Sequence, residues 1–109
     1  MCCLFGLIDV KKQLSSYEKR RILSILGKAC EARGTDATGF AYNSMGELII
    51  KKKAVPAHKM NFDVPSDAHV IMGHTRMATQ GSAQKNRNNH PFSGKVSDVR
   101  FALDLRINI

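Results

Sequence analysis

The 109-residue chain contains no tryptophan and few aromatics of any kind, two Tyr and five Phe. Its basic side chains therefore have no interleaved aromatic platform of the sort that stacks on nucleic-acid bases. Long apolar runs are missing too. No stretch approaches the ~20 residues that a membrane-spanning helix needs, so no membrane partner is expected. The opening MCCLFGLIDVKK has no basic segment ahead of its apolar part, which is itself too short for a secretory signal. A soluble, cytoplasmic protein is the expectation. Cysteine is scarce and odd in number, at positions 2, 3 and 30. That excludes a disulfide framework and fits a reducing compartment. Acidic residues are few, 9 Asp+Glu against 17 Lys+Arg, leaving a formal charge of +8. Such an excess invites nucleic acid, but the cations are scattered along the chain, from Lys11 to Arg106, and show neither helix-turn-helix nor zinc-finger spacing. A solvated basic surface is the stronger reading, and nucleic acid ranks last among the partners considered.

What is present is an ordinary globular balance, 43% apolar and 24% charged, enough for one small domain with a real core. Residues 3 to 10 form a short apolar run with Gly6 inside, which reads as a buried strand. Ser15 followed by Glu18 fits a capping box, so a helix should start near Ser16. Ile22, Ile25, Leu26 and Ala29 recur at helical spacing and define the expected buried face, with Lys19, Arg20 and Lys28 mostly opposite. The helix should end near Arg33, with Gly34 closing it in the left-handed conformation. Residues 38 to 43 and 47 to 54 look extended around Asn43-Ser44-Met45-Gly46, a hairpin. Pro56 and Pro65 bracket a loop, and residues 68 to 75 read as another strand. Residues 80 to 94 read as loop from their Asn, Gly and Ser content, before a last weak strand over 99 to 105. There are no internal repeats. The order of elements predicts a mixed α+β domain.

The chemistry gathers at the amino terminus. A thiol attacks only as thiolate, and an unperturbed cysteine has a pKa near ~8.5. An α-amine, with a pKa around ~7.7–8.0, is a suitable base if it is held close. Cysteine is small enough for the initiator Met to be trimmed, after which Cys2 carries thiol and amine on one residue. Position alone leaves open that Cys2 is a small apolar residue starting a buried strand.

Its company decides between them. Cys2-Cys3-Leu4-Phe5-Gly6 resembles the Cys-Gly-Ile-Phe-Gly start of class II glutamine amidotransferases, which are N-terminal-nucleophile hydrolases. Arg33-Gly34-Thr35-Asp36-Ala37-Thr38-Gly39 is similar to the arginine-glycine segment after their first helix. Gly73-His74-Thr75-Arg76-Met77-Ala78-Thr79-Gln80-Gly81 resembles their Gly-His-Thr-Arg-x-Ala-Thr-x-Gly motif, and Asn88-Asn89-His90-Pro91-Phe92 resembles the Asn-x-His-Pro element that follows. The motifs stand in the family's order between residues 2 and 92. The resemblance implies a partial αββα sandwich, with residues 1–109 as the front part of a type-2 domain, incomplete at its C-terminal end. It implies a glutaminase that hydrolyses L-glutamine to glutamate and ammonia, delivered in the family to a synthase domain or partner. Cys2 would be the catalytic nucleophile. Arg76 would hold the substrate's α-carboxylate through bidentate contacts, and Thr79 and Gly81 would shape the pocket wall. Arg33 reads as a structural arginine. His74 and His90 read as structural histidines, since no third ligand stands at recognisable spacing, and neither metal nor cofactor is expected.

The sequence departs from the pattern in three places. Cys3 stands where the family carries glycine, adding bulk and a second reactive group beside the nucleophile. Where the family's His-Asn-Gly should supply oxyanion-hole donors, the chain reads Asp104-Leu105-Arg106-Ile107. Finally, the sequence ends at Ile109, before the acidic residue that holds the substrate's α-amine in the family. Each lost donor costs about 10²–10³ in turnover, so glutaminase activity is expected to be weak or absent. The alternative expectation is a non-catalytic remnant that binds glutamine or a partner.

Overall fold

Seven uncharged residues without proline, Cys2–Ile8, form strand β1, and their alternation of half-buried and exposed positions marks a sheet with one face against the core. In the computed structural model, which describes residues 2–77, 89–96 and 99–103, β1 is followed by helix α1 (Ser16–Glu31). Strands β2 (Ala37–Ser44) and β3 (Glu47–Lys53) come next, then a 3-10 turn at Ala57–Lys59 and strand β4 (Val70–Arg76). Strands β5 (Phe92–Val96) and β6 (Val99–Leu103) complete the described elements. The first four strands make one antiparallel sheet in the order β1-β4-β2-β3, and β5 and β6 pair as a separate hairpin. The fold is therefore α+β, with one helix on a four-stranded sheet.

Strand alternation builds the core. Phe5 and Leu7 of β1, Ile71 of β4 and Phe40 and Tyr42 of β2 share one face by register, and α1 lies across it. Leu23 of α1 is fully buried among Phe40, Tyr42, Phe62, Val64, Ala68 and Ile71. Phe40 and Phe62 rings sit 5.2 Å apart, and Phe5 meets Phe62 edge-on at 5.8 Å. The opposite face carries Leu4, Ile8 and Val70, all well exposed, while Arg100 and Ala102 of β6 share an open groove with Ala41, Leu48, Val70 and Met72.

Helix α1 begins where the capping box places it. Ser15 Oγ accepts the Glu18 N–H, and the Glu18 carboxylate accepts the Ser15 N–H. Its buried face, however, differs from the expected one. Lys19, Leu23, Gly27 and Cys30 face the sheet, whereas Ile25 is 60% exposed, Ala29 is exposed and Ile22 and Leu26 are half-buried. The reason is Lys19. Its Nζ donates to the carbonyls of Ser66 and Ala68, both at 2.7 Å, and lies 3.6 Å from the Asp9 carboxylate. Fully satisfied, the ammonium can be buried, and that rotates the helix. Gly27 supports the same rotation by letting the Phe62 ring close on the helix.

Other expectations shift at their edges. The helix stops at Glu31 rather than Arg33, and Gly34 does not adopt a positive φ. Gly34 serves instead as a close approach, since a Cβ there would collide with the backbone of Thr75 and Arg76. The first hairpin turns on Met45 and Gly46, both at positive φ, as a two-residue connection of the right-handed twist requires. β4 runs one residue further than expected and ends on Arg76, and the last strand is described over Val99–Leu103, the rest of its expected span lying outside the described residues. Phe92–Val96 is strand rather than loop, because its backbone finds a partner in β6. The cysteine reading is also corrected: Cys3 and Cys30 are joined as a disulfide, their Cα atoms 5.4 Å apart, and Cys2 alone is free. Strand and helix bring together two residues that lie 27 apart in sequence, which spacing could not reveal. Among the described residues no helix is long and apolar enough to cross a membrane.

Candidate active site

The sheet brings together Cys2 and Arg76. β1 pairs antiparallel with β4 so that Cys2 lies directly opposite Arg76, and β2 places Ala37 on the other side of Arg76. Directly opposed residues project from the same face, with Cβ atoms about 4.5–5.5 Å apart. The Cys2 thiol is free and its residue is 8% exposed; Arg76 is 6% exposed. Both therefore lie at the same strand ends, beneath a cover rather than on an open surface.

Residues just before β5 supply the cover over Arg76. Asn89 is fully buried, and its side-chain oxygen accepts from an Arg76 guanidinium N–H at 2.8 Å. The Asn89 main-chain carbonyl accepts from Lys52 Nζ at 2.9 Å. His90 stacks on His74 with ring centroids 4.1 Å apart, and Phe92 packs on the other side of His90 at 4.2 Å. Gly39, opposite His74 in the sheet, has no side chain because the His90 carbonyl occupies the place where a Cβ would stand. The main chain of Arg76 is held as well, its carbonyl accepting the Asp36 N–H at 2.9 Å.

Burial, then the charges of Arg76 and Lys52, hold the His90 imidazole below its ordinary pKa. It is accordingly neutral near pH 7. Burial likewise lowers the Lys52 ammonium, which also lies 5.6 Å from the centre of the Phe92 ring. Part of the chain's basic excess is thus engaged internally; Lys51 similarly lies 5.9 Å over Tyr42. The arrangement places a free thiol one side-chain reach from a partly enclosed guanidinium.

The two expected histidines fall within this cluster as stacking groups. Among the described residues no set of three His, Cys, Asp or Glu side chains could hold a metal ion. Arg33 is exposed, with its N–H donating to the Cys30 carbonyl. Thr79 and Gly81, the expected pocket-wall residues, lie outside the described residues, as do Met1 and residues 104–109. Sequence reasoning missed Asn89 as the partner of Arg76. The signal was there in the doubled Asn88-Asn89 ahead of His90, but nothing in the order of residues says which amide turns inward. It also missed Lys52, which alternation on β3 places on the same face as Gly39 and hence toward His90. Compared with protein-family models, with curated proteins and with solved structures, the chain finds no match in any of the three.

Proposed function

We propose that this α+β unit is the front part of a class II glutamine amidotransferase domain, a partial αββα N-terminal-nucleophile sandwich whose substrate is L-glutamine. The observation that carries the reading is the direct opposition of Cys2 and Arg76 at the ends of β1 and β4. In this reading, removal of Met1 frees the α-amine of Cys2, which takes the thiol proton. The thiolate attacks the side-chain amide carbon of glutamine, the C–N bond breaks as ammonia leaves, and water then releases glutamate from the thioester. Arg76 receives the substrate's α-carboxylate, and Asn89 fixes the guanidinium without cancelling its charge. An ammonia-accepting synthase would be the partner. The chain carries Asp104-Leu105-Arg106-Ile107 in place of the family's oxyanion donors, so turnover is expected to be weak or absent.

Covalent capture separates the site from its turnover. Incubation with an electrophilic glutamine analogue should add one label at Cys2, found by mass spectrometry of protein lacking Met1. Excess glutamine should protect against it, and Cys2→Ser should abolish it. Labelling that ignores glutamine would overturn the reading. Ammonia release at the rate of an ordinary glutaminase would contradict the inference drawn from the missing donors. Binding of glutamine by calorimetry without turnover is the outcome that favours a non-catalytic remnant.

A further inference from the structure

Cys3 occupies the position beside the proposed nucleophile, and its sulfur is bonded to Cys30 at the end of α1. β1 is an edge strand of the described sheet, hydrogen-bonded to β4 alone, and chain ends at a sheet edge fray readily. The other end of the bridge is fixed firmly. The Cys30 carbonyl accepts from the buried Thr75 hydroxyl at 3.0 Å and from the Arg33 N–H at 3.0 Å. Gly34, four residues on, lies against the backbone of Thr75 and Arg76. Cys30 is thus attached to the same stretch of β4 that carries Arg76. Strand alternation then turns Cys3 toward the helix and Cys2 toward the opposite face, so the bridge holds Cys2 without consuming its thiol.

We propose that the Cys3–Cys30 disulfide is a reversible redox clamp that fixes the start of β1 against β4 and thereby sets access to Cys2. This deepens the reading of Cys2 as nucleophile and, for its effect on catalysis, rests on it. A small dithiol reductant opens the clamp. One of its thiolates attacks the half-buried Cys3 sulfur, breaking the S–S bond and releasing the Cys30 thiolate, which takes up a proton. The second thiol of the reductant resolves the mixed disulfide, freeing Cys3 as a thiol. The protein gains two electrons and two protons, and the reductant becomes a cyclic disulfide. With the clamp closed, Cys2 stays opposite Arg76 and shielded. Once it is open, the first residues of β1 fray and the thiol becomes reachable. A glycine at position 3 could form no such bond.

Because Cys2 and Cys3 are adjacent, the pairing is tested first in the Cys2→Ser protein equilibrated with oxidised glutathione. Mapping without reductant should recover a peptide linking positions 3 and 30; two free thiols there would overturn the proposal. The clamp is then tested in the wild-type full chain. Labelling of Cys2 by N-ethylmaleimide, located by peptide fragmentation, should be roughly tenfold or more faster in protein reduced with dithiothreitol and then freed of it by desalting, because buried thiols react through local opening. Cys30→Ala should label Cys2 at the fast rate with or without that treatment. The wild-type comparison alone suffices should that variant fold poorly. Equal Cys2 rates in oxidised and reduced wild type would overturn the clamp even with the bond present. None of these readouts uses glutamine, so failure of the clamp and failure of analogue capture are told apart.

Discussion

Lys19 shows how far one residue can set the terms for its neighbours. A lysine buried without partners would be untenable, yet this one has two carbonyls and a carboxylate around its ammonium. Asp9 in turn accepts the N–H groups of Gln13 and Leu14, tying the chain between β1 and α1. Lys19→Met should therefore destabilise the protein by about 1–3 kcal/mol for each carbonyl that loses its donor, read as a fall in the urea midpoint. Asn89 invites a sharper test. Removing a hydrogen bond to a charged group costs about 1.5–3 kcal/mol, so Asn89→Ala should lower stability by that amount. Asn89→Asp should retain stability, because a carboxylate serves the guanidinium at least as well. It should nevertheless slow capture of a glutamine analogue, since the added negative charge competes with the substrate's α-carboxylate for Arg76. Loss of capture in both variants alongside equal stability would show that Asn89 contacts the substrate itself.

At the scale of elements, the first hairpin carries a local conflict. Met45 and Gly46 both take positive φ, a conformation that costs a non-glycine residue about 1–2 kcal/mol. Asparagine tolerates it far better and Asn-Gly is the preferred pair for this turn. Met45→Asn should stabilise by roughly 1 kcal/mol, raising the midpoint of thermal unfolding; the Met45 N–H, which donates to Asp67, is unaffected by the change. Turn and cap were legible in the sequence because each is written within four consecutive residues: Ser15 to Glu18, and Asn43 to Gly46. Strands β1 to β4 were legible to within two residues, whereas Phe92–Val96 reads largely as loop, because its strand character depends on pairing with β6. The buried face of α1 was not. Ile22, Ile25, Leu26 and Ala29 make the more apolar stripe, but what faces the sheet was decided by carbonyls at Ser66 and Ala68, more than forty residues away. The site divides likewise. Cys2 and Arg76 stand out in their motifs, whereas the register that opposes them, the amide of Asn89 and the Cys3–Cys30 bond exist only once strands and helix have met.

For the whole molecule, acid should act in two stages. His90 is held below its ordinary pKa by burial and by the charges of Arg76 and Lys52, so below about pH 6.5, where the free imidazole titrates, the unfolded chain binds the extra proton first. Stability is then fully present above that pH and declines as pH falls below it. The carboxylates come later. Glu31 is held low by the His58 N–H and ring, Asp63 by Arg20 and Asn61, and Asp67 by the Ser44 hydroxyl and the Met45 N–H. Against the cost of its burial, Asp9 is held low by the N–H groups of Leu14 and Gln13 and by Lys19. What these acids contribute is present above the ordinary carboxylate range and lost as pH falls through their lowered values. Thermal unfolding followed from about pH 7.5 to about pH 5.5 isolates the first stage. The wild type should lose stability across that interval, and His90→Gln should flatten the curve there while leaving the decline at lower pH intact. An unchanged slope in His90→Gln would show that His90 does not set the first stage.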